Sequence, residues 1–378
     1  MATAKRTWRI GLLALAIALV GGAVGGAITL TQEAQPSKPT RPAAPPPSPL
    51  MVAALSPAAG SSLAAPASPI TVHFSKALAR GSPAPTLIPA LAGTWTRPDP
   101  ATFEFLPQSL PVPDQVITLD VPDGPGGVRA ADGGVLTAPV TASWTAPAGS
   151  VLRLQQLLAS LGYLPVTFQA VAPVTPTAST ETAAAYTPPA GSFPWRWGAV
   201  PPRLAAQWQP GSYGPMTRGA VMAFEAAHGL AADGDAGPLV WSALINAAVA
   251  GGPIAPGYSW VYVSEGHPEV LALWHNGAVA LLSHANTGVP QAPTPTGTWA
   301  VYARYPATTM SGINPDGTHY VDHGVPFVNY FDGGDAVHGF LRSQYGFPQS
   351  VGCVELPLAA AQRVYGLLYV GALVTVTA

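Results

Sequence analysis

The sequence predicts a multidomain chain: an N-terminal transmembrane helix, a β-sandwich, a small helical domain and a mainly-β C-terminal domain with one helix. Three observations support this fold class. An uncharged apolar run lies near the N-terminus. Short segments in which apolar and polar residues alternate, separated by Gly and Pro, lie on either side of the middle of the chain. Between them, apolar residues recur at helical spacing. The 44 prolines and 40 glycines among 378 residues suit turn-rich β domains joined by linkers.

The amino-acid composition of the chain excludes some classes of function. Only 9% of residues are charged, the net charge is −2, and no basic block is present, so we expect no nucleic-acid partner. Hydrophobic residues make up 48% of the chain, which is ample material for cores. A single cysteine excludes an internal disulfide and marks one thiol as a candidate for chemistry.

The N-terminal segment predicts a membrane anchor. Residues 1–9 carry Lys5, Arg6 and Arg9 and form a short cytoplasmic tail, and residues 10–30 are apolar and uncharged, about the ~20 residues that span a bilayer. We expect a single-pass protein of the cell membrane with the remainder of the chain outside the cytoplasm. The alternative is a cleaved signal peptide and a secreted protein. Residues 31–50 are rich in Pro, Ala and Ser and predict an extended linker.

Residues 51–146 predict an antiparallel β-sandwich. Apolar and polar residues alternate in Ile70–Phe74, in 101–106 and in 115–121, with turn residues between them. The opening, Leu55-Ser-Pro-Ala-Ala-Gly60 leading to residues 70–75, resembles bacterial Ig-like domains of cell-surface proteins. The resemblance implies a spacer.

Residues 148–248 predict a helical domain. Leucines at helical spacing start near Val151 and stop at Gly162, and further helices start at Pro215 and Pro238, with Asp235 a possible cap. Gly162-Tyr163 follows the first predicted helix, and Asp233-Gly234 precedes the last one. This arrangement resembles the three-helix peptidoglycan-binding domain of wall hydrolases. An insertion at 165–210 departs from that pattern. The alternative is a packing module without ligand affinity.

Residues 257–378 predict a mainly-β domain. Strands fit 259–263, 269–274, 278–282, 298–303, 325–331 and 372–377, Asn276-Gly277 is a two-residue hairpin signal, and 358–368 fits one helix. This domain contains Cys353 and, upstream, His338. An imidazole that takes the proton of a thiol produces a nucleophile for acyl transfer.

The motifs around this pair are similar to those of an L,D-transpeptidase (YkuD-type) catalytic domain. They are a Thr-Pro-Thr-Gly loop at 294–297, His338-Gly339, and Ser350-x-Gly-Cys-Val354 followed by Leu356-Pro357. The resemblance implies a mostly-β fold and peptidoglycan stem peptides as substrates. It also implies carbapenem-type inhibitors. It implies no cofactor.

The resemblance also implies roles for individual residues. Cys353 is the nucleophile, and His338 is the base that lowers the thiol pKa toward neutrality and is oriented by the Gly339 carbonyl. The remaining catalytic and substrate-binding candidates are Gly352, Ser350, Tyr330, Val351 and Glu355. Val351 replaces a frequent histidine and Glu355 a frequent Arg or Asn; Glu355 either faces the site, where it would repel a substrate carboxylate, or lies on a solvated face. Asp335 is expected to cap or orient the loop of His338.

The implied reaction is formation of 3→3 peptidoglycan cross-links, with release of D-Ala from a tetrapeptide stem. An L,D-carboxypeptidase, an enzyme that anchors proteins to peptidoglycan, and a non-catalytic wall-binding protein remain alternatives. A metal site is not expected. His319 and His323 have zinc-compatible spacing only on a helix, and the surrounding Gly and Pro favour loop and strand.

Overall fold

The computed structural model describes residues 45–173, 175–252, 255 and 257–378. The predicted fold class is wrong in one component, the membrane-spanning helix. No helix of the described residues is long and apolar enough to cross a bilayer. The longest helices of the described residues, Pro215–Ala227 and Pro238–Ala250, have 13 residues each, well short of the ~20 required. The tail, the apolar run at 10–30 and most of the predicted linker lie outside the described residues.

The first globular segment consists of two antiparallel sheets that enclose one hydrophobic core. Their strand orders are β1-β2-β5-β4 and β3-β6-β7, the order of a constant-type immunoglobulin sandwich. Inward-facing residues such as Val72, Phe103 and Leu119 alternate with more exposed ones, as the sequence pattern predicts. That this domain is an Ig-like spacer stays a prediction. The strands are β1 (Val52–Ser56), β2 (Ile70–Phe74), β3 (Thr86–Ile88), β4 (Gly93–Thr96), β5 (Thr102–Pro107), β6 (Val116–Val121) and β7 (Val140–Thr145).

The second segment is helical. Its elements are α1 (Val151–Ser160), β8 (Gln169–Ala170), α2 (Ala178–Tyr186), β9 (Gly191–Ser192), α3 (Pro202–Ala205), α4 (Pro215–Ala227) and α5 (Pro238–Ala250). Proline occupies the first turn of both α4 and α5, as predicted. Gly237, not Asp235, is the N-cap of α5, without a side-chain cap. The insertion is folded: it supplies α2, whose Glu181 forms a buried ion pair with Arg153 of α1.

The C-terminal segment contains two sheets and one helix. The sheet orders are β12-β11-β10-β18-β13 and β14-β15-β16-β17. Asn276 and Gly277 have φ of 47° and 94°, which fits the predicted tight hairpin between β11 and β12. The elements are β10 (Ser259–Ser264), β11 (Val270–His275), β12 (Ala278–His284), β13 (Gly297–Ala300), β14 (Ala303–Ile313), β15 (His319–Asp332), β16 (Asp335–Gly339), β17 (Val354–Leu356), α6 (Leu358–Leu367) and β18 (Leu373–Thr377).

The helical segment and the C-terminal segment share a hydrophobic core. Trp260, Trp274 and Leu373 of the sheet belong to the same buried cluster as the helix residues Leu158 and Phe224. The insertion reinforces this contact, because its Trp197 packs edge-on against Trp274 with ring centroids 5.4 Å apart. Such an interface holds the helices firmly against the β domain.

Candidate active site

Parallel pairing of β16 with β17 brings the predicted thiol and imidazole to adjacent strands. Val337 pairs with Val354 and His338 with Glu355. Cys353 directly precedes β17, so it lies one step before the partner of Val337. Because side chains alternate along a strand, Cys353 and His338 project from the same face of the sheet, offset diagonally. Cys353 and His338 are therefore 15 positions apart in the sequence but close together on neighbouring strands of the sheet.

His338 is fixed in orientation. It is 3% exposed, and its Nδ1 lies 3.1 Å from the carbonyl oxygen of Gly339. When Nδ1 donates to that carbonyl, Nε2 is left with a free lone pair. Burial lowers the pKa of His338 below its usual range, partly opposed by this hydrogen bond and by the charge of Glu355. The imidazole is therefore neutral near pH 7 and able to accept a proton.

The surroundings of Cys353 favour the neutral thiol over the thiolate. Burial raises the pKa of Cys353 to about 12, and the charges of Asp335 and Glu355 add to the effect. Its Sγ contacts the carbonyl oxygen of Gly334 at 3.9 Å. The expectation that His338 draws the thiol pKa toward neutrality therefore does not describe this resting state. The geometry favours removal of the proton during attack over a pre-formed thiolate.

The turn before Cys353 depends on Gly352 and Ser350. Gly352 has φ of +111°, and a Cβ there would lie 2.2 Å from Oδ1 of Asp335, so only glycine fits. Ser350 is buried, and its hydroxyl donates to the carbonyl oxygen of Cys353. Val351, between them, is half-buried. These residues shape the backbone that carries the thiol.

Tyr330 lies beside the same strands. It pairs with Ala336 across β15 and β16, and its ring stacks on Tyr302 with centroids 6.0 Å apart. Burial raises the pKa of Tyr330, and the nearby Cys353 contributes. Tyr330 therefore lies near the thiol, in a cluster with Tyr302 and Tyr305.

Glu355 occupies neither of the two positions considered from the sequence. It is 3% exposed and forms a bidentate ion pair with Arg342, with distances of 2.8 Å from Nε to Oε2 and 2.7 Å from Nη2 to Oε1. Asn286 adds a longer contact of 3.5 Å through Nδ2. Arg342 in turn stacks on Phe340, 4.6 Å from the ring centroid. Glu355 lies beside His338 on the neighbouring strand, paired with Arg342, and does not face a substrate as a bare charge.

Sequence reasoning missed a second buried carboxylate that supports the site. Glu269 is 1% exposed and accepts hydrogen bonds from the backbone amide and hydroxyl of Thr287 at 2.6 and 2.7 Å. The carbonyl of Thr287 accepts the amides of Gln349 and Ser350 at 2.9 and 3.0 Å. This chain of bonds anchors the cysteine turn. No local motif marks Glu269, since it directly precedes an ordinary apolar strand.

Family comparisons cover the part of the chain that holds this site. The family model described as L,D-transpeptidase catalytic domain matches residues 258–376. Residues 258–376 form an L,D-transpeptidase catalytic domain. A second model, described as a putative peptidoglycan binding domain, matches residues 205–244, which include α4 and part of α5. The enzyme class expected from the Cys353 and His338 motifs is confirmed.

Solved structures that resemble the chain include several L,D-transpeptidases. One from Mycobacterium smegmatis has 16% identity over 88% of this chain and 100% of its own, with a TM-score of 0.29. An L,D-transpeptidase in complex with imipenem has 14% identity over 88% and 100%, also at 0.29. The catalytic domain of the Enterococcus faecium enzyme has 26% identity over 32% of this chain and 96% of its own, at 0.29. At such TM-scores the assignment rests on the family models. No curated protein matches the chain.

Proposed function

We propose that the L,D-transpeptidase domain forms 3→3 cross-links in peptidoglycan, with Cys353 as nucleophile and His338 as general acid and base. The observation that supports this most directly is the pairing of β16 with β17, which places a neutral, oriented imidazole beside the only thiol of the sequence. Peptidoglycan lies outside the cytoplasmic membrane, so the reaction belongs to the cell wall.

The first step is acylation. Nε2 of His338 takes the Cys353 proton as Sγ attacks the carbonyl of the L,D peptide bond before the terminal D-Ala of a tetrapeptide stem. The C–N bond then breaks, the imidazolium returns the proton to the leaving amine, and a thioester remains. A proton transfer of this kind contributes about 10²–10⁴-fold to rate. It removes the need for a free thiolate with a lowered pKa.

The second step is transfer. The side-chain amine of a neighbouring stem attacks the thioester and releases Sγ as the thiol. Backbone amides of Gly352 and Cys353 are the donors that we assign to the oxyanion, and the left-handed backbone of Gly352 permits close approach. Such a donor is worth about 3 kcal/mol in comparable sites. Tyr330, which packs against the same small hydrophobic cluster as Cys353, is the residue that we assign to contact with the stem.

The helical segment supplies the contact with the polymer. The match of 205–244 to a peptidoglycan binding model supports the proposal that this segment holds the wall while the rigidly attached β domain reacts. Because a related enzyme has been solved with imipenem, we propose that carbapenems acylate Cys353.

Product analysis tests the proposal. The protein is incubated with disaccharide-tetrapeptide, and the products are separated by mass spectrometry beside a Cys353→Ala variant. We expect cross-linked dimers and free D-Ala from the native protein and neither from the variant. D-Ala without dimers would identify a carboxypeptidase. Retention on isolated peptidoglycan without any product would identify a non-catalytic binding protein and contradict the proposal.

A further inference from the structure

Asp335 lies against the turn that carries the thiol. It is the first residue of β16, three positions before His338, and its Oδ1 is so near Gly352 that a Cβ there would lie 2.2 Å away. The residue before it, Gly334, supplies the carbonyl oxygen 3.9 Å from Sγ. A carboxylate therefore stands at the rim of the place where the thioester forms.

Asp335 forms no ion pair with any residue that the structure describes. Among the described residues, no donor makes a hydrogen bond to it, and the three arginines of 257–378 are engaged or remote. Arg342 pairs with Glu355, and Arg304 donates to Asn329 and the Tyr365 carbonyl. Arg363 is exposed on α6. A half-buried charge without a partner is costly, and a bound cation would offset that cost.

The surroundings favour a cation as that partner. Residues 257–378 contain seven carboxylates (Glu265, Glu269, Asp316, Asp322, Asp332, Asp335 and Glu355) against three arginines, a net charge of 3 − 7 = −4. Burial, with help from Asp332, raises the pKa of Asp335 to about 6, so it is mostly ionised at neutral pH. Its charge contributes to the raised pKa of both Tyr302 and Tyr320, which places it on the tyrosine side of the site.

We propose that Asp335 binds the ammonium group of the attacking amine in the transfer step. The inference rests on the proposed function and names a specificity-determining residue for it. An anion beside the acyl carbon attracts an alkylammonium acceptor through a charge-assisted hydrogen bond, whereas neutral water gains little from it. Asp335 thereby directs the thioester toward cross-linking and away from hydrolysis.

The protons balance as follows. The ammonium gives its first proton to the Asp335 carboxylate, which leaves a free amine beside the thioester. The nitrogen lone pair forms the C–N bond, the C–S bond breaks, and the second proton passes through His338 to Sγ. Asp335 finally loses its proton to water. The products are one amide, the Cys353 thiol and one released proton, without any oxidant or further reactant.

The test uses the full-length protein and compares its reaction with two added acceptor molecules. Disaccharide-tetrapeptide is the donor, and Nα-acetyl-lysine, which is cationic, or hydroxylamine, which is neutral near pH 7.5, is the acceptor. Asp335→Asn is compared with the native protein and with Asp316→Asn, the same charge change at the exposed tip between β14 and β15. Imipenem acylation of each preparation, followed by intact mass, reports that the variant has a folded site.

We expect Asp335→Asn to lower the ratio of lysine adduct to hydrolysed product about tenfold, the loss of one charge-assisted hydrogen bond. For Asp335→Asn, the ratio of hydroxylamine adduct to hydrolysed product should stay at the native value. For Asp316→Asn, the ratios measured with both acceptors should stay at the native values. Equal ratios in Asp335→Asn and the native protein, or a parallel fall with both acceptors, would overturn the role of Asp335. A native protein that forms no acyl-enzyme at all would instead overturn the proposed function, and this inference with it.

Discussion

Replacing Arg342 by alanine tests whether its ion pair with Glu355, which lies beside His338 on the neighbouring strand, supports the site. The change removes both Arg342 donors to Glu355 and leaves a carboxylate that is 3% exposed, with only the longer contact from Asn286. Breaking a fully buried pair costs about 3–5 kcal/mol. Because the Arg342 side chain is 31% exposed, water compensates part of this, and we expect a loss of about 2 kcal/mol in unfolding free energy.

The same change should move the pH profile. In the native protein the positive charge of Arg342 lowers the pKa of His338, while Glu355 raises it. Without Arg342 the remaining carboxylate stabilises the imidazolium, so the His338 pKa rises. A base acts only when deprotonated, and the acid limb of kcat/KM for acylation should therefore shift to higher pH.

The assay is imipenem acylation followed by intact mass between pH 5 and 8, with urea unfolding on the same samples. Arg363→Ala, which removes an exposed arginine from α6, is the matched control and should leave both measurements near native. The double variant Arg342→Met with Glu355→Gln should regain stability, since no unpaired charge remains. An acid limb that stays in place or moves to lower pH would refute the electrostatic reasoning.

Two further substitutions have defined outcomes. Gly352→Ala places a Cβ against Oδ1 of Asp335 at a φ of +111°, so we expect the variant to lose about 1–3 kcal/mol of unfolding free energy and to lose acylation by imipenem. Gly366→Ala on α6, where a Cβ meets no other atom, is the control and should keep the native stability. Equal urea midpoints for the two variants would contradict this expectation. Burial, with the nearby Asp233 and Asp235, raises the pKa of Glu225 to about 7 from a usual 4.5. The native protein then loses up to about 3 kcal/mol as pH rises from 4.5 through 7, and Glu225→Gln should flatten urea midpoints over that window; a variant with native pH dependence would show that Glu225 does not titrate there.

Sequence patterns predicted those features of the site that depend on residues close together in the chain. The spacing of His338-Gly339 and Ser350-x-Gly-Cys353 identified the enzyme class, and alternation of apolar residues predicted strands such as β2 and β10. Proline positions predicted the starts of α4 and α5. These features depend on neighbours within a few residues.

What the sequence did not predict depends on long-range contacts. Glu355 meets Arg342 only because β17 pairs with β16, and Glu269 supports the cysteine turn from a strand about 80 residues earlier. The raised pKa of Cys353 arises from burial and from charges that converge in the fold. The sequence predicted the insertion only as a departure from the helical pattern; in the structure, Trp197 and Glu181 pack it against neighbours far along the chain. The apolar run at 10–30 predicted a membrane helix, and the described residues contain none.

The central claim is that Cys353 carries the acyl group. The most direct measurement is peptide mapping by mass spectrometry after the native protein is mixed with disaccharide-tetrapeptide and quenched in acid within the first turnover. We predict a peptide containing Cys353 that is heavier by the donor less D-Ala, sensitive to hydroxylamine and absent from Cys353→Ala. An unmodified Cys353 in a protein that nevertheless releases D-Ala would contradict the account.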